Sequence, residues 1–310
     1  MSDFSQVDVA FSPGNLLVLN AILAGMIFGV SLKLTGADFV RVIRQPRAPA
    51  AGLLAQFVLL PAITCLGTAL AGVEPQLALG MILVASCPGG SFSNVMTWLG
   101  KASVPVSVSM TAVSSLAAIV MTPFNFTLYG YLNPLTRPLL REISLDPVSL
   151  LALVGLVLVL PLLLGMAIGK RHPELAEKAD KPMRVITLLV FLLFVVIAFA
   201  NNVDSFVQYA GQILILVMIH NVVALSIGNV SGRLLRLPIA ERRAVTMEVG
   251  IQNTALGLSI IFTFFPEAGG MMLIAGFWSF WHLIAGLTLA LIWSRQTLPD
   301  ATRQVNSHGH

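Results

Sequence analysis

Apolar runs long enough to cross a lipid bilayer recur about every 30 residues along this 310-residue chain. A crossing helix needs about 20 mostly apolar residues. Nine segments have that length, at roughly 14–34, 48–72, 76–101, 103–130, 147–169, 184–203, 206–232, 238–265 and 268–294. Only 10% of residues are charged, whereas a soluble globular chain carries about 25%. The pattern predicts an all-α membrane protein with nine transmembrane helices. A membrane β-barrel would need short alternating segments, and the sequence does not have them. The first residues, MSDFSQVDVAFSPG, hold two acids and no basic residue, unlike a secretory signal peptide. Cys65 and Cys87 both fall within apolar runs, so no disulfide is expected.

Charge placement tests the count. With the amino terminus outside and the loops alternating, every one of the 18 lysines and arginines except Arg137 and Arg141 falls on the inner side. Basic residues concentrate in cytoplasmic loops, and a miscount by one helix would scramble this division. Segment 1–13 is therefore expected outside and the 295–310 tail in the cytoplasm, with the chain lodged in the cell's inner (plasma) membrane. The net charge of +4 belongs to those loops, and no nucleic-acid partner is implied.

Two of the nine runs are interrupted. The third contains SCPGGSFSN at 86–94, where Pro88 removes a backbone donor and Gly89 and Gly90 loosen the chain. The eighth contains EVGIQN at 248–253, with Gly250 between polar residues. Each half is about 11 residues, or roughly 16 Å, half a hydrocarbon core. Irregular backbone survives at that depth only where protein or a watery cavity satisfies it, and a pair of such breaks points to a transporter's binding site. The third run is third in the block of runs 1–4, and the eighth is third in the block 6–9. An offset of five spans inverts the second block in the membrane, the arrangement of an inverted-topology repeat.

Glu248 is the one acid that this division leaves at membrane depth. A buried charge there is costly and marks function. If the eighth helix continues past Gly250, Gln252 shares the face of Glu248. A break at Gly250 frees the carbonyls of Glu248, Val249 and Ile251. Other oxygens lie at comparable depth: Gln56, Ser93, Asn94, and the i, i+4 pair Ser107 and Thr111. Neutral oxygens around one carboxylate suit a small, hard, monovalent cation. A protonated acid bonded to a carbonyl and a proton relay are the other fates open to Glu248.

Several stretches together, AQFVLLP (55–61), CPGGSFSNVMTWL (87–99), SVSMTAVSSL (107–116), IHN (219–221), EVGIQN (248–253) and WH (281–282), resemble the bile acid:sodium symporter family in order and spacing. The likeness spans about 15–294 and is nearest to bacterial-type members without the extra first helix that some relatives carry. It implies two broken helices crossing at mid-membrane, and two coupling Na⁺ ions beside the crossing. One ion would be held by Ser93, Asn94, Ser107, Thr111 and Glu248. The other would be held by Gln56, Glu248 and Gln252 with the carbonyls of Val249 and Ile251. It also implies a panel domain (14–34 and 147–203) and a core domain (48–130 and 206–294). Relatives often carry Asn where Leu283 stands, a departure near the expected substrate cavity.

The expected function is sodium-coupled symport of an organic anion, bile-acid-like or a small carboxylate such as pantoate, by alternating access. Ser91, Asn94, Asn253, Thr254 and His282 are the candidate substrate contacts. A proton-coupled carrier, an arsenite-efflux type using Cys87 and a non-transporting membrane sensor are the competing readings. Neither HExxH, paired acids nor a nucleophile elbow marks an enzyme. For the topology, cysteines introduced as Lys101→Cys and Arg236→Cys are expected to react with a membrane-impermeant maleimide only from the cytoplasmic side. Arg137→Cys is expected to react only from outside.

Overall fold

The computed structural model describes residues 13–142 and 147–296; segment 1–12, the link 143–146 and the tail from 297 lie outside the described residues. The chain forms α1 (Pro13–Ser31), α2 (Gly36–Arg44), α3 (Arg47–Leu54, through a π-turn at Ala55–Leu59, to Leu60–Leu70), α4 (Pro75–Ser86) and α5 (Phe92–Leu99). Then come α6 (Val104–Leu132), α7 (Arg137–Glu142) and α8 (Pro147–Val154, through a π-turn at Gly155–Val159, to Leu160–Arg171). The last five are α9 (Pro173–Ala200), α10 (Val203–Leu234), α11 (Ile239–Gly250), α12 (Thr254–Phe264) and α13 (Gly269–Ser294). No strand occurs among the described residues, and a single antiparallel bridge joins Gly89 to Gln252.

Six helices, α1, α3, α6, α8, α10 and α13, are continuous, long and apolar enough to span a bilayer. The third and eighth apolar runs are each split, into α4 and α5 and into α11 and α12, as their interrupting residues predict. The remaining run is the apolar part of α9, and here the expected start at 184 is corrected. Pro173 at the first turn followed by Glu174 starts the helix well before the apolar stretch. Good helix formers in PELAEKADK then carry it through a charged segment. Helix α2 escapes a search for apolar runs because it is short and two-sided. The Asp38 carboxylate fixes its start, accepting the Thr35 backbone N–H at 2.9 Å and the Thr35 hydroxyl at 2.8 Å.

The split helices are the most enclosed elements. Every residue of α4 from Gln76 to Ser86 is buried, as are Arg243–Gly250 of α11 and Thr254–Ile261 of α12. Helix α4 packs on α13, α3 and α6, while α11 packs on α10, α5 and α6. Helix α1 instead packs chiefly on α8 and α9. The long helices show large aliphatic side chains outward, Leu66, Val120, Leu163 and Leu193 among them, as lipid-facing surfaces do.

The bend in α3 is specified by one residue. Pro61 has no N–H for the carbonyl of Phe57, four residues back. Asn125 of α6 fills the gap, its Nδ2 donating to that carbonyl at 2.8 Å. The π-turn beside it positions Gln56, buried and facing the breaks. Asn125→Ala removes the substitute donor. It is expected to lower the melting temperature in detergent, a loss of about 1 kcal/mol, with the protein still folded.

Candidate ion and substrate site at the helix crossing

The two interruptions satisfy each other. Gly90 N–H donates to Ile251 O at 2.6 Å, and Asn253 N–H donates to Pro88 O at 2.9 Å. Three further carbonyls at the breaks are taken by side chains from neighbouring helices. Cys87 O accepts Gln56 Nε2 at 2.6 Å, Gly250 O accepts Asn221 Nδ2 at 2.8 Å, and Ser86 O accepts the Thr122 hydroxyl at 2.7 Å. This is the internal satisfaction that irregular backbone in hydrocarbon requires. It also gives Asn221 of the IHN stretch its bracing task. His220 beside it meets the Thr64 hydroxyl at 2.8 Å and lies edge-on to Trp278.

Such close crossing needs glycine. A Cβ on Gly89 would fall on the carboxyl group of Glu248, and one on Gly90 would lie 2.8 Å from the Gln252 carbonyl oxygen. The break in the eighth run falls later than the expected one at Gly250. Helix α11 runs through Gly250, its last bond running from Ile251 N–H to Met247 O at 2.9 Å, so the Glu248, Val249 and Gly250 carbonyls lie past its hydrogen-bonded turns, and the extended residues are Ile251–Asn253. Gln252 therefore does not share a helical face with Glu248. It reaches the site from the bridge to Gly89.

Glu248, buried at 1% exposure, projects from the last turn of α11 into a cluster of hydroxyls. Its Oε2 accepts from Ser93 at 2.5 Å, Thr111 at 3.0 Å and Ser107 at 3.4 Å. Its Oε1 has no hydrogen-bond partner. Asn94 joins through its Oδ1, 3.4 Å from the Thr111 hydroxyl. A hydroxyl can donate to a carboxylate or, rotated about its C–O bond, offer lone pairs to a cation. The same four neutral side chains can therefore surround a charge of either sign. Among the described residues, no group of three or more His, Cys, Asp or Glu could hold a metal ion.

Gln56 and Gln252 form a second cluster. Their amides pair reciprocally, Gln56 Nε2 to Gln252 Oε1 at 2.8 Å and Gln252 Nε2 to Gln56 Oε1 at 3.2 Å. Gln252 Nε2 also covers the Val249 carbonyl at 2.6 Å, while the Ile251 carbonyl takes the Gly90 N–H. Of the donors expected for a second ion, the Gln56 and Gln252 amides and the Val249 carbonyl are thus together but bonded to one another, the Ile251 carbonyl is held by Gly90, and Glu248 makes its bonds in the hydroxyl cluster. A cation there needs the Gln252 amide to turn its oxygen inward.

The five candidate substrate contacts are all buried, each 8% exposed or less. Ser91 Oγ, Asn94 Nδ2 and both ring nitrogens of His282 have no hydrogen-bond partner, which leaves them available to a ligand. Asn253 is committed elsewhere, its side-chain oxygen capping α12 through Leu256 N–H at 3.1 Å. Thr254 opens that helix. Cys87 is fully buried, with its sulfur against the Gly257 backbone, as a packing residue.

Sequence reasoning missed Ser114 and Thr97. Ser114 approaches the Glu248 carboxyl group while donating to Thr111 O at 3.2 Å, and the Thr97 hydroxyl donates to Ser107 Oγ at 3.2 Å. The i, i+4, i+7 stripe of Ser107, Thr111 and Ser114 carried a signal for the first. Thr97 needed the tertiary contact.

The sodium bile acid symporter family matches residues 21–209. The uncharacterized sodium-dependent transporter YocS of Bacillus subtilis (strain 168) is 27% identical over 279 residues, covering 90% of this chain and 83% of that one. The probable sodium/metabolite cotransporter BASS1, chloroplastic, of Arabidopsis thaliana is 29% identical over 270 residues, 86% of this chain but 64% of its own length. The human ileal sodium/bile acid cotransporter is 27% identical over 253 residues, 81% of this chain and 70% of its own. The chain belongs to the sodium bile acid symporter family. It is a membrane transporter of that family, and not an enzyme.

Gly90→Ala tests the crossing. Its Cβ would press on backbone oxygen, which cannot swing aside as a side chain can. The expected result is a lower melting temperature, by an overpacking cost of about 1–3 kcal/mol, together with loss of transport in proteoliposomes.

Proposed function

We propose that this chain is a sodium-coupled symporter that carries an organic anion into the cell by alternating access. The observation that carries the reading is the Glu248 cluster: a buried carboxylate that three hydroxyls address at one oxygen, with its other oxygen unpartnered. One Na⁺ is assigned to Ser93, Asn94, Ser107, Thr111 and Glu248. A second is assigned to Gln56, Glu248 and Gln252 with the carbonyls of Val249 and Ile251. Sodium neutralises Glu248 where the two breaks meet, so its binding favours the geometry in which both breaks are locked together.

The substrate is an organic anion, bile-acid-like or a small carboxylate, a reading supported by the relatives' names as sodium/bile acid and probable sodium/metabolite cotransporters. Helices α5 and α12 both begin at the crossing, and their positive ends suit an anion. Ser91, Asn94, Thr254 and His282 supply the polar contacts, and Asn253 orients α12. Ions and anion then stabilise the same state, and each raises the other's affinity. Residues 14–34 and 147–203 form the panel, against which the core (48–130 and 206–294) rocks. Counting each split pair and α9 as one crossing gives nine, with the amino terminus outside and the carboxy terminus in the cytoplasm.

The unpartnered Oε1 also supports a proton-coupled reading, and replacing sodium by choline at fixed pH separates the two. The direct test is thermal unfolding of purified protein in sodium against potassium. Sodium at 100 times its dissociation constant is expected to stabilise by about 2.7 kcal/mol. Glu248→Gln, close in shape but neutral, is expected to abolish the difference between the two salts. Equal melting of the native chain in both salts would refute sodium binding.

A further inference from the structure

We propose that the inner-side end of α1, α8 and α9 is a binding site for an anionic phospholipid, with α2 lying beside it in the membrane interface. The proposal rests on the membrane reading alone and is independent of the sodium assignment.

A cavity of about 620 Å³ opens there, within the size range of pockets that hold a small ligand. Its walls come from the α1–α2 link with the start of α2, the end of α8 and the start of α9. No residue of the helix crossing lines it, so it stands apart from the proposed ion and anion site. Leu32, Met166 and Ala176 give it an apolar wall. Lys33 and Lys170, both exposed, are among its lining residues, with Glu177 the one acid among them. An apolar recess with two ammonium groups matches a lipid with a monoanionic phosphate: chain inside, headgroup at the lysines.

The surroundings identify the occupant as membrane lipid. Leu163, Leu164 and Leu175, on the two helices that wall the cavity, are all exposed. In a membrane protein such side chains face acyl chains. Helix α2 has no buried residue. Phe39 packs against the protein core, Val40 and Ile43 beside it are 45% and 79% exposed, and Arg41 lies on the opposite face with Arg44 at its edge. Asp38, the one acid in α2, is occupied by the Thr35 cap. A basic amphipathic helix of this kind lies flat at an anionic membrane surface. Lys33 and Lys170 line the cavity, and α2, which begins at its lining residue Gly36, adds Arg41 and Arg44, so phosphatidylglycerol, rather than zwitterionic phosphatidylcholine, is complementary.

The experiment uses the full chain in detergent and reads melting temperature during titration with phosphatidylglycerol, with phosphatidylcholine of the same acyl chains, and with glycerol phosphate. Phosphatidylglycerol alone is expected to stabilise. The Lys33→Gln/Lys170→Gln double variant is expected to need about thirtyfold more of it, from two lost lysine–anion attractions. Because Lys33 also makes contacts within the protein, Ala167→Trp provides a second variant, which keeps both lysines and fills the recess. It too is expected to lose the response while melting normally in phosphatidylcholine. An equal response to phosphatidylcholine, or an undiminished response in both variants, overturns the site. An equal response to glycerol phosphate assigns it to free phosphate instead. Displacement of the lipid by cholate at low concentration makes it a substrate pocket, and likewise overturns the proposal.

Discussion

Backbone that leaves the helix inside a membrane must find its hydrogen bonds within the protein, and this requirement organises the core. Four half-length helices end at mid-chain breaks, and the groups they release are satisfied across the crossing. Gly90 donates to Ile251, Asn253 donates to Pro88, Gln56, Asn221 and Thr122 take the Cys87, Gly250 and Ser86 carbonyls, and Gln252 takes that of Val249. Helices α3, α6 and α10 are therefore tied to the breaks by specific side chains. Their own irregularities follow the same rule: Pro61 bends α3, and Asn125 of α6 completes it.

The carboxylate at the centre depends on this arrangement. Glu248 sits in the last turn of α11, and only the absence of a side chain on Gly89 lets the other break come close enough to enclose it. Ser93 reaches it from α5, and Ser107 and Thr111 reach it from α6. Three elements thus converge on one oxygen. A group that neutralises this carboxylate acts on all three at once, which makes the site sensitive to a single charge.

Much of this was legible in the sequence because membrane depth makes polar residues conspicuous. A lone acid in an apolar run, a Cys-Pro-Gly-Gly interruption and a Ser/Thr stripe stand out against leucine and valine. Every residue assigned to the first ion does lie in one cluster. The position of the second break was harder to read. Gly250 looked like the breaking residue, yet a glycine can stay helical at a cost of about 1 kcal/mol. Gly250 is still the last helical residue, and the extended backbone begins at Ile251, where Ile251 and Gln252 pair with the other break. That pairing joins residues far apart in the chain, and no local propensity encodes it. Helix α2 and the charged start of α9 were invisible to a search for apolar runs for the opposite reason: they lie where polar residues are unremarkable.

Mutual satisfaction of the two breaks has a consequence for coupling. Neither break is stable alone, because each supplies the other's missing donors. Motion that separated them would orphan at least the Pro88 and Ile251 carbonyls in a dry interior, at about 1–3 kcal/mol for each unsatisfied group. That cost favours a crossing that moves as a unit. In the proposed transport cycle the ion seat and the anion seat are then carried together, and access must alternate by displacement of other helices around them. The packing is graded: α1 packs chiefly on α8 and α9 but also on α12, where the Ser259 hydroxyl donates to Asn20 Oδ1 at 2.5 Å, while α4, α5 and α11 are held by α3, α6, α10 and α13. In the proposed cycle the crossing turns against α1, α8 and α9 while keeping its own hydrogen bonds, and the α1–α12 and α6–α8 contacts are the ones that must slide.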